Sequence, residues 1–152
     1  MALDPLSEVL ASLLIFAQMA TGYAPADDVP KISFVSHAEL EQAACQRPCQ
    51  VFGWYPLGQI IYLDDRLDPV HDAGDRSILL HEVVHYLQQT HGAFADGSDC
   101  ENWSRREREA YTVQARWLNE QHVSKPLYSG IGRPPWSLAC SQLTTPPPRD
   151  RH

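Results

Sequence analysis

The sequence predicts an α+β domain: a small three-stranded sheet, about four helices and a Pro-rich C-terminal tail. Three observations carry this. Apolar residues recur at helical spacing in segments near the start, middle and later part of the chain. Three short β-rich runs lie between the first and second of these segments. Pro126, Pro134, Pro135 and Pro146 to Pro148 then rule out long helices beyond Ser124. The length of 152 residues suits one domain, 1–152, with a single core, of which 124–152 is a loop-rich tail.

Asp4 before Pro5 is a helix start, an N-cap acid followed by Pro at the first helical position. Leu6, Leu10, Leu13, Leu14 and Ala17 form its apolar stripe, and Gly22 ends it. Lys31 to Val35 alternates and reads as a strand. Ser36 caps a short helix to Ala44, with Glu39 three residues on as a capping box requires. Val51 to Tyr55 and Gln59 to Leu63 read as further strands around the turn Pro56-Leu57-Gly58. Asp64 to Asp75 is polar and reads as a loop, with Asp75 or Ser77 capping a helix that stops near Gly92. A second loop runs to Asn102, and Trp103 to Gln121 reads as the last helix.

The net charge of −7 argues against nucleic acid and anionic membrane surfaces, both of which need clustered Lys and Arg. The first twenty residues lack the basic start of a signal peptide, and Val9 to Ala20 is too short and polar to span a bilayer. Cys45, Cys49, Cys100 and Cys140 make an even set, which fits two disulfides and an extracytoplasmic compartment. Cys45–Cys49 and Cys100–Cys140 are the favoured pairs. Structural zinc and free thiols are the alternatives, and the spacing offers no second half-site for zinc.

The chemistry concentrates in His81-Glu82-Val83-Val84-His85. Residues four apart share a helix face, so His81 and His85 can direct ring nitrogens at one metal ion. Glu82 falls beside that ion, placed to take a proton from an activated water. Catalytic zinc usually takes three protein ligands. Of the two candidates on the following helix, Glu107 lies on the inward stripe of Trp103, Ala110, Val113, Gln114, Trp117 and Gln121. Glu109 lies off it, among arginines, and reads as a solvated partner for Arg105 or Arg106.

H-E-x-x-H followed by a helix carrying Glu107-Arg108-Glu109-Ala110 resembles the gluzincin branch of zinc metallopeptidases, in its minimal single-domain forms. The resemblance covers about Gln59 to Gln121, with specific residues at His81, Glu82, His85 and Glu107. It implies a zincin-like fold, Zn2+ on His81, His85 and Glu107, Glu82 as general base and a peptide or protein substrate. It also implies that Gln59 to Leu63 is an edge strand that pairs with extended peptide. Tyr111 stands where that family often has an aspartate. Among Tyr111, Tyr86, His91 and His122 as oxyanion donors, Tyr111 is favoured, one turn beyond Glu107; packing is the plainer role for each tyrosine. Trp54, Trp103, Trp117 and Trp136 are pocket or core residues, and a tail tied through Cys140 could cover the cleft. The competing functions are a zinc scaffold without turnover and a zinc hydrolase of non-peptide substrates.

Overall fold

The computed structural model describes residues 2–123. Its elements run α1 (Pro5–Thr21), β1 (Lys31–Val35), α2 (His37–Ala44), β2 (Gly53–Trp54), β3 (Ile60–Asp64), α3 (Ala73–Thr90) and α4 (Asp99–Glu120). This is an α+β architecture with four helices and a three-stranded mixed sheet.

The local signals explain most boundaries. The Asp4 side chain accepts the Ser7 backbone N–H at the start of α1, and Gly22, at φ +81°, closes it in a left-handed cap. Ser36 and Glu39 form the expected capping box of α2. Cys45 and Cys49 are disulfide-bonded across the loop that follows, which is compatible with an oxidising compartment. The other expected pair involves Cys140, which lies outside the described residues, as do Trp136 and the rest of the tail. Among the described residues, no helix is long and apolar enough to cross a membrane.

Four elements depart from the sequence expectation. β2 holds only Gly53 and Trp54 rather than Val51 to Tyr55; Tyr55 lies past its end, its hydroxyl donating to Gly58 O at 2.8 Å. β3 is not an edge strand. The sheet order is β1-β3-β2, with β1 parallel and β2 antiparallel to β3. The free edges are therefore β1 and β2. α3 starts at Ala73, capped by Asp72, whose carboxylate accepts the Asp75 N–H; neither Asp75 nor Ser77 is the cap. α4 starts one turn before Trp103, where Ser98 and Glu101 form a second capping box.

The core explains why α3 organises the rest. Every residue from Leu79 to Gln88 is buried, which marks a helix enclosed on all sides rather than an amphipathic surface helix. α1 covers it with Leu10, Leu13, Leu14 and Ala17. α4 supplies Ala110, Val113, Trp117 and Leu118, and β3 supplies Ile61 and Leu63. Each fully buried Leu or Val side chain contributes about 1.5–3 kcal/mol. Gln121 falls outside this stripe, exposed at the C-cap of α4. A smaller cluster of Leu40, Ala44 and Val51 holds α2 and the disulfide loop together.

Candidate metal centre

His81, Glu82 and His85 come from the middle of α3, and Glu107 comes from α4 packed beside it. All four are buried, between 1% and 4% exposed. Ala110, fully buried one turn after Glu107, leaves room for the close approach of the two helices. His81 Nε2 lies 3.1 Å from His85 Nε2 and 3.2 Å from Glu107 Oε2, and His85 Nε2 lies 3.1 Å from Glu107 Oε1. These three residues form a buried group able to hold a metal ion. The spacing suits a small tetrahedral ion. Bonds of about 2.0–2.1 Å imply donor–donor edges of about 3.3–3.4 Å for zinc.

Hydrogen-bond logic fixes which imidazole nitrogens face the centre. His81 Nδ1 lies 3.0 Å from Gln114 Oε1, and His85 Nδ1 lies 2.8 Å from Gln88 Oε1. The amide orientations are determined at their other ends. Gln88 Nε2 meets only acceptors, donating to Arg106 O at 3.0 Å and Glu109 Oε1 at 3.1 Å. Gln114 Nε2 donates to Ser77 Oγ at 3.0 Å, and that hydroxyl spends its own proton on Gly74 O. Both amide oxygens therefore face Nδ1, which must carry the proton. Both Nε2 atoms are left facing Glu107, as a ligand set requires.

Charge reinforces the group. Burial alone would lower the His81 pKa, but the Glu107 carboxylate outweighs it, with Glu82 adding to the effect, and the net shift is upward. Glu82 also leans on the sheet. A Cβ added at Gly53 of β2 would lie 3.1 Å from Glu82 Cγ and 3.2 Å from its Oε1. A glycine at this position lets the strand backbone approach the carboxylate closely.

Other expected residues are distributed differently. Tyr111 packs edge-on against the His81 ring, with centroids 4.3 Å apart. The Tyr86 hydroxyl is spent on Asp28 O at 2.9 Å and Gln59 Oε1 at 3.3 Å. His91 stacks on Tyr23 and bonds Leu87 O, and His122 is exposed just after α4. Trp54 packs on Tyr62, and Trp117 is core. Glu109 is not a solvated partner of the arginines: it accepts from Tyr23 at 2.7 Å and from Gln88. The reason is helix geometry. Its face of α4 turns toward α1 and α3, while Arg105 reaches back to Asp96.

Sequence reasoning missed the two glutamines that orient the histidines. Gln88 follows His85 by three residues and Gln114 is a polar residue on a buried stripe, so the only available signal was that a buried amide must find partners. It also gave no role to His37, whose ring bridges Asp64 at 2.8 Å and Glu41 at 2.7 Å far along the sheet from α4. Asp64 is fully buried, and the Arg66 guanidinium holds its carboxyl at about 2. His71 is a surface residue against Asp68.

A cleft of about 560 Å3 opens beside the group, with His85, Tyr55, Leu57, Phe94, Trp103 and Arg106 among its walls. Comparison with curated proteins and with solved structures gave no match. A family profile described as a domain of unknown function, DUF6647, matches residues 3–129, from the start of α1 to beyond the end of α4. The chain carrying this buried His81, His85 and Glu107 group is thus a member of the DUF6647 family.

Proposed function

We propose that this protein is a zinc-dependent metallopeptidase of gluzincin type on a zincin-like fold. The observation that carries the reading is the convergence of two Nε2 lone pairs and one carboxylate on a single point, from H-E-x-x-H on α3 and Glu107 on α4. His81, His85 and Glu107 would hold the ion. Zinc bound there would supply Lewis acidity, polarising a carbonyl and acidifying a water.

The remaining chemistry belongs to the chain. Gln88 and Gln114 hold a proton on each Nδ1 and turn each Nε2 toward Glu107. Glu82 takes the proton of the attacking water and returns it to the leaving amine, so the carboxylate ends as it began. The Gly53 backbone comes close enough that an added Cβ would crowd the carboxylate. β2, a free edge beside Glu82, is the strand against which an extended peptide would lie. The disulfide between Cys45 and Cys49 supports a place outside the cytoplasm.

Near-complete burial of all four site residues is the one observation that favours a second reading, a closed zinc scaffold without turnover. Two measurements separate these. Metal content by mass spectrometry should give about one zinc per chain in the wild type and in Glu109→Ala, and none in Glu107→Ala. A wild type that stays metal-free after zinc add-back removes the basis for either reading. Glu82→Gln should keep its zinc and lose peptide hydrolysis; unchanged turnover rules out the general-base role, and the scaffold reading expects no turnover in either protein.

A further inference from the structure

The walls of the cleft beside His85 include two residues in conformations that side chains avoid. Leu57 has φ +80° and Phe94 has φ +55°. Gly and Asn tolerate that left-handed region, and other residues adopt it at a penalty. Neither residue offsets the penalty in the interior, since neither belongs to a hydrophobic cluster of the fold. Leu57 is instead 59% exposed, an apolar side chain held outward at a strained position.

The backbone holds both in place. The turn carrying Leu57 is pinned by Tyr55, whose hydroxyl bonds Gly58 O and the Gln89 side chain of α3. The Phe94 carbonyl accepts from Arg106 Nη1 at 3.3 Å, and the Arg105 guanidinium sits 4.9 Å from the centre of its ring. Two polar residues of the lining are held by bonds within the fold. Asn102 bonds both the N–H and the carbonyl of Gly97 at 3.0 Å, and the Gln88 amide is fully engaged around His85. An apolar side chain entering here would gain contact with Leu57, Phe94 and Tyr55.

We infer that Leu57 and Phe94 are the apolar jaws of a substrate subsite that takes a bulky apolar side chain, Leu or Phe in size, of an extended peptide. The volume is ample for such a side chain with its flanking backbone. The inference rests on the peptidase reading of the same site, and it names the specificity of that site. It makes stability and recognition move in opposite directions. Leu57→Asn removes an apolar contact and at the same time relieves the backbone.

The test uses full-length, zinc-loaded protein and internally quenched peptides that differ at one scanned position, Phe, Ala or Asp. The wild type should favour Phe over Asp at one position by about 10-fold or more, the scale of burying one large apolar side chain. Leu57→Asn should lose most of that preference through KM and melt at the same or a higher temperature. Titration calorimetry of the Phe and Asp peptides on Glu82→Gln protein reads the same preference without hydrolysis, so absent turnover sinks the peptidase reading and leaves the subsite testable. Equal binding of Phe and Asp peptides overturns the inference. So does a preference that survives Leu57→Asn, or one lost only together with a fall in melting temperature.

Discussion

Replacing Gln114 with Met should weaken zinc binding more than it weakens the zinc-free fold. Gln114 is 3% exposed and its Oε1 accepts from His81 Nδ1 at 3.0 Å. Met is similar in shape and cannot accept well, so the zinc-bound form must bury an unpaired Nδ1–H. That costs about 1–3 kcal/mol, or about 5- to 150-fold in affinity, in line with the effect of removing an outer partner of a metal ligand. The zinc-free protein has an escape. His81 can move its proton to Nε2 and donate to Glu107 Oε2, 3.2 Å away. It then loses only the bond from Gln114 to Ser77, about 1 kcal/mol. Competition against a chromophoric chelator gives the affinity, and melts with and without zinc give the two stabilities. A zinc affinity within about threefold of wild type would refute the tautomer argument. So would a loss of zinc-free stability large enough to account for the whole affinity change.

Three further outcomes are expected. Gly53→Ala places a Cβ about 3.1–3.2 Å from Glu82 and Ile78, so it should destabilise the fold by about 1–3 kcal/mol and depress turnover while zinc stoichiometry holds, as read by urea unfolding and metal analysis. Asp64 titrates at about 2 in the folded chain against 3.8 when unperturbed, so its stabilisation is fully present above 3.8 and is lost as pH falls toward 2. Between about pH 6 and pH 3 the wild type should lose about 0.5 kcal/mol that Asp64→Asn does not lose, roughly half the full linkage value because Arg66 is largely exposed. Ser98→Ala removes the acceptor for the Glu101 N–H at the start of α4 and should lower stability by about 1 kcal/mol in the same unfolding assay.

How much of this was legible in the sequence depended on how local the signal was. α1, β1 and α2 follow from caps and periodicity within a few residues, and their boundaries match the reading. The Ser98 capping box was equally local but sat in a stretch of small and acidic residues that resembles a loop, so the start of α4 read one turn late. Strand order was not legible. Whether β3 is central or at the edge depends on the parallel return of β1 across α2 and β2, a non-local pairing that no short window contains. At the site, helical spacing was enough to bring His81, His85 and Glu107 together. It misassigned Glu109, because a run of alternating charges looks solvated whichever element later packs over it. The glutamines were hidden for a related reason: a buried amide has no motif, only the requirement that its hydrogen bonds be met.

The neutrality of those glutamines has a physical logic. Many metal-binding histidines are oriented by carboxylates, which raise ligand basicity. Here the buried group already holds two acids, Glu82 and Glu107, beside two imidazoles. With neutral imidazoles its charge is −2, which a divalent cation balances, and the upward shift at His81 is the same excess drawing in a proton instead. A carboxylate at position 114 or 88 would make the group more negative at a depth where an unbalanced charge is worth several kcal/mol. An amide gives the same orientation with no added charge. Gln114 on α4 therefore orients His81 without adding charge, while the Tyr111 ring, one turn before it, packs edge-on against His81.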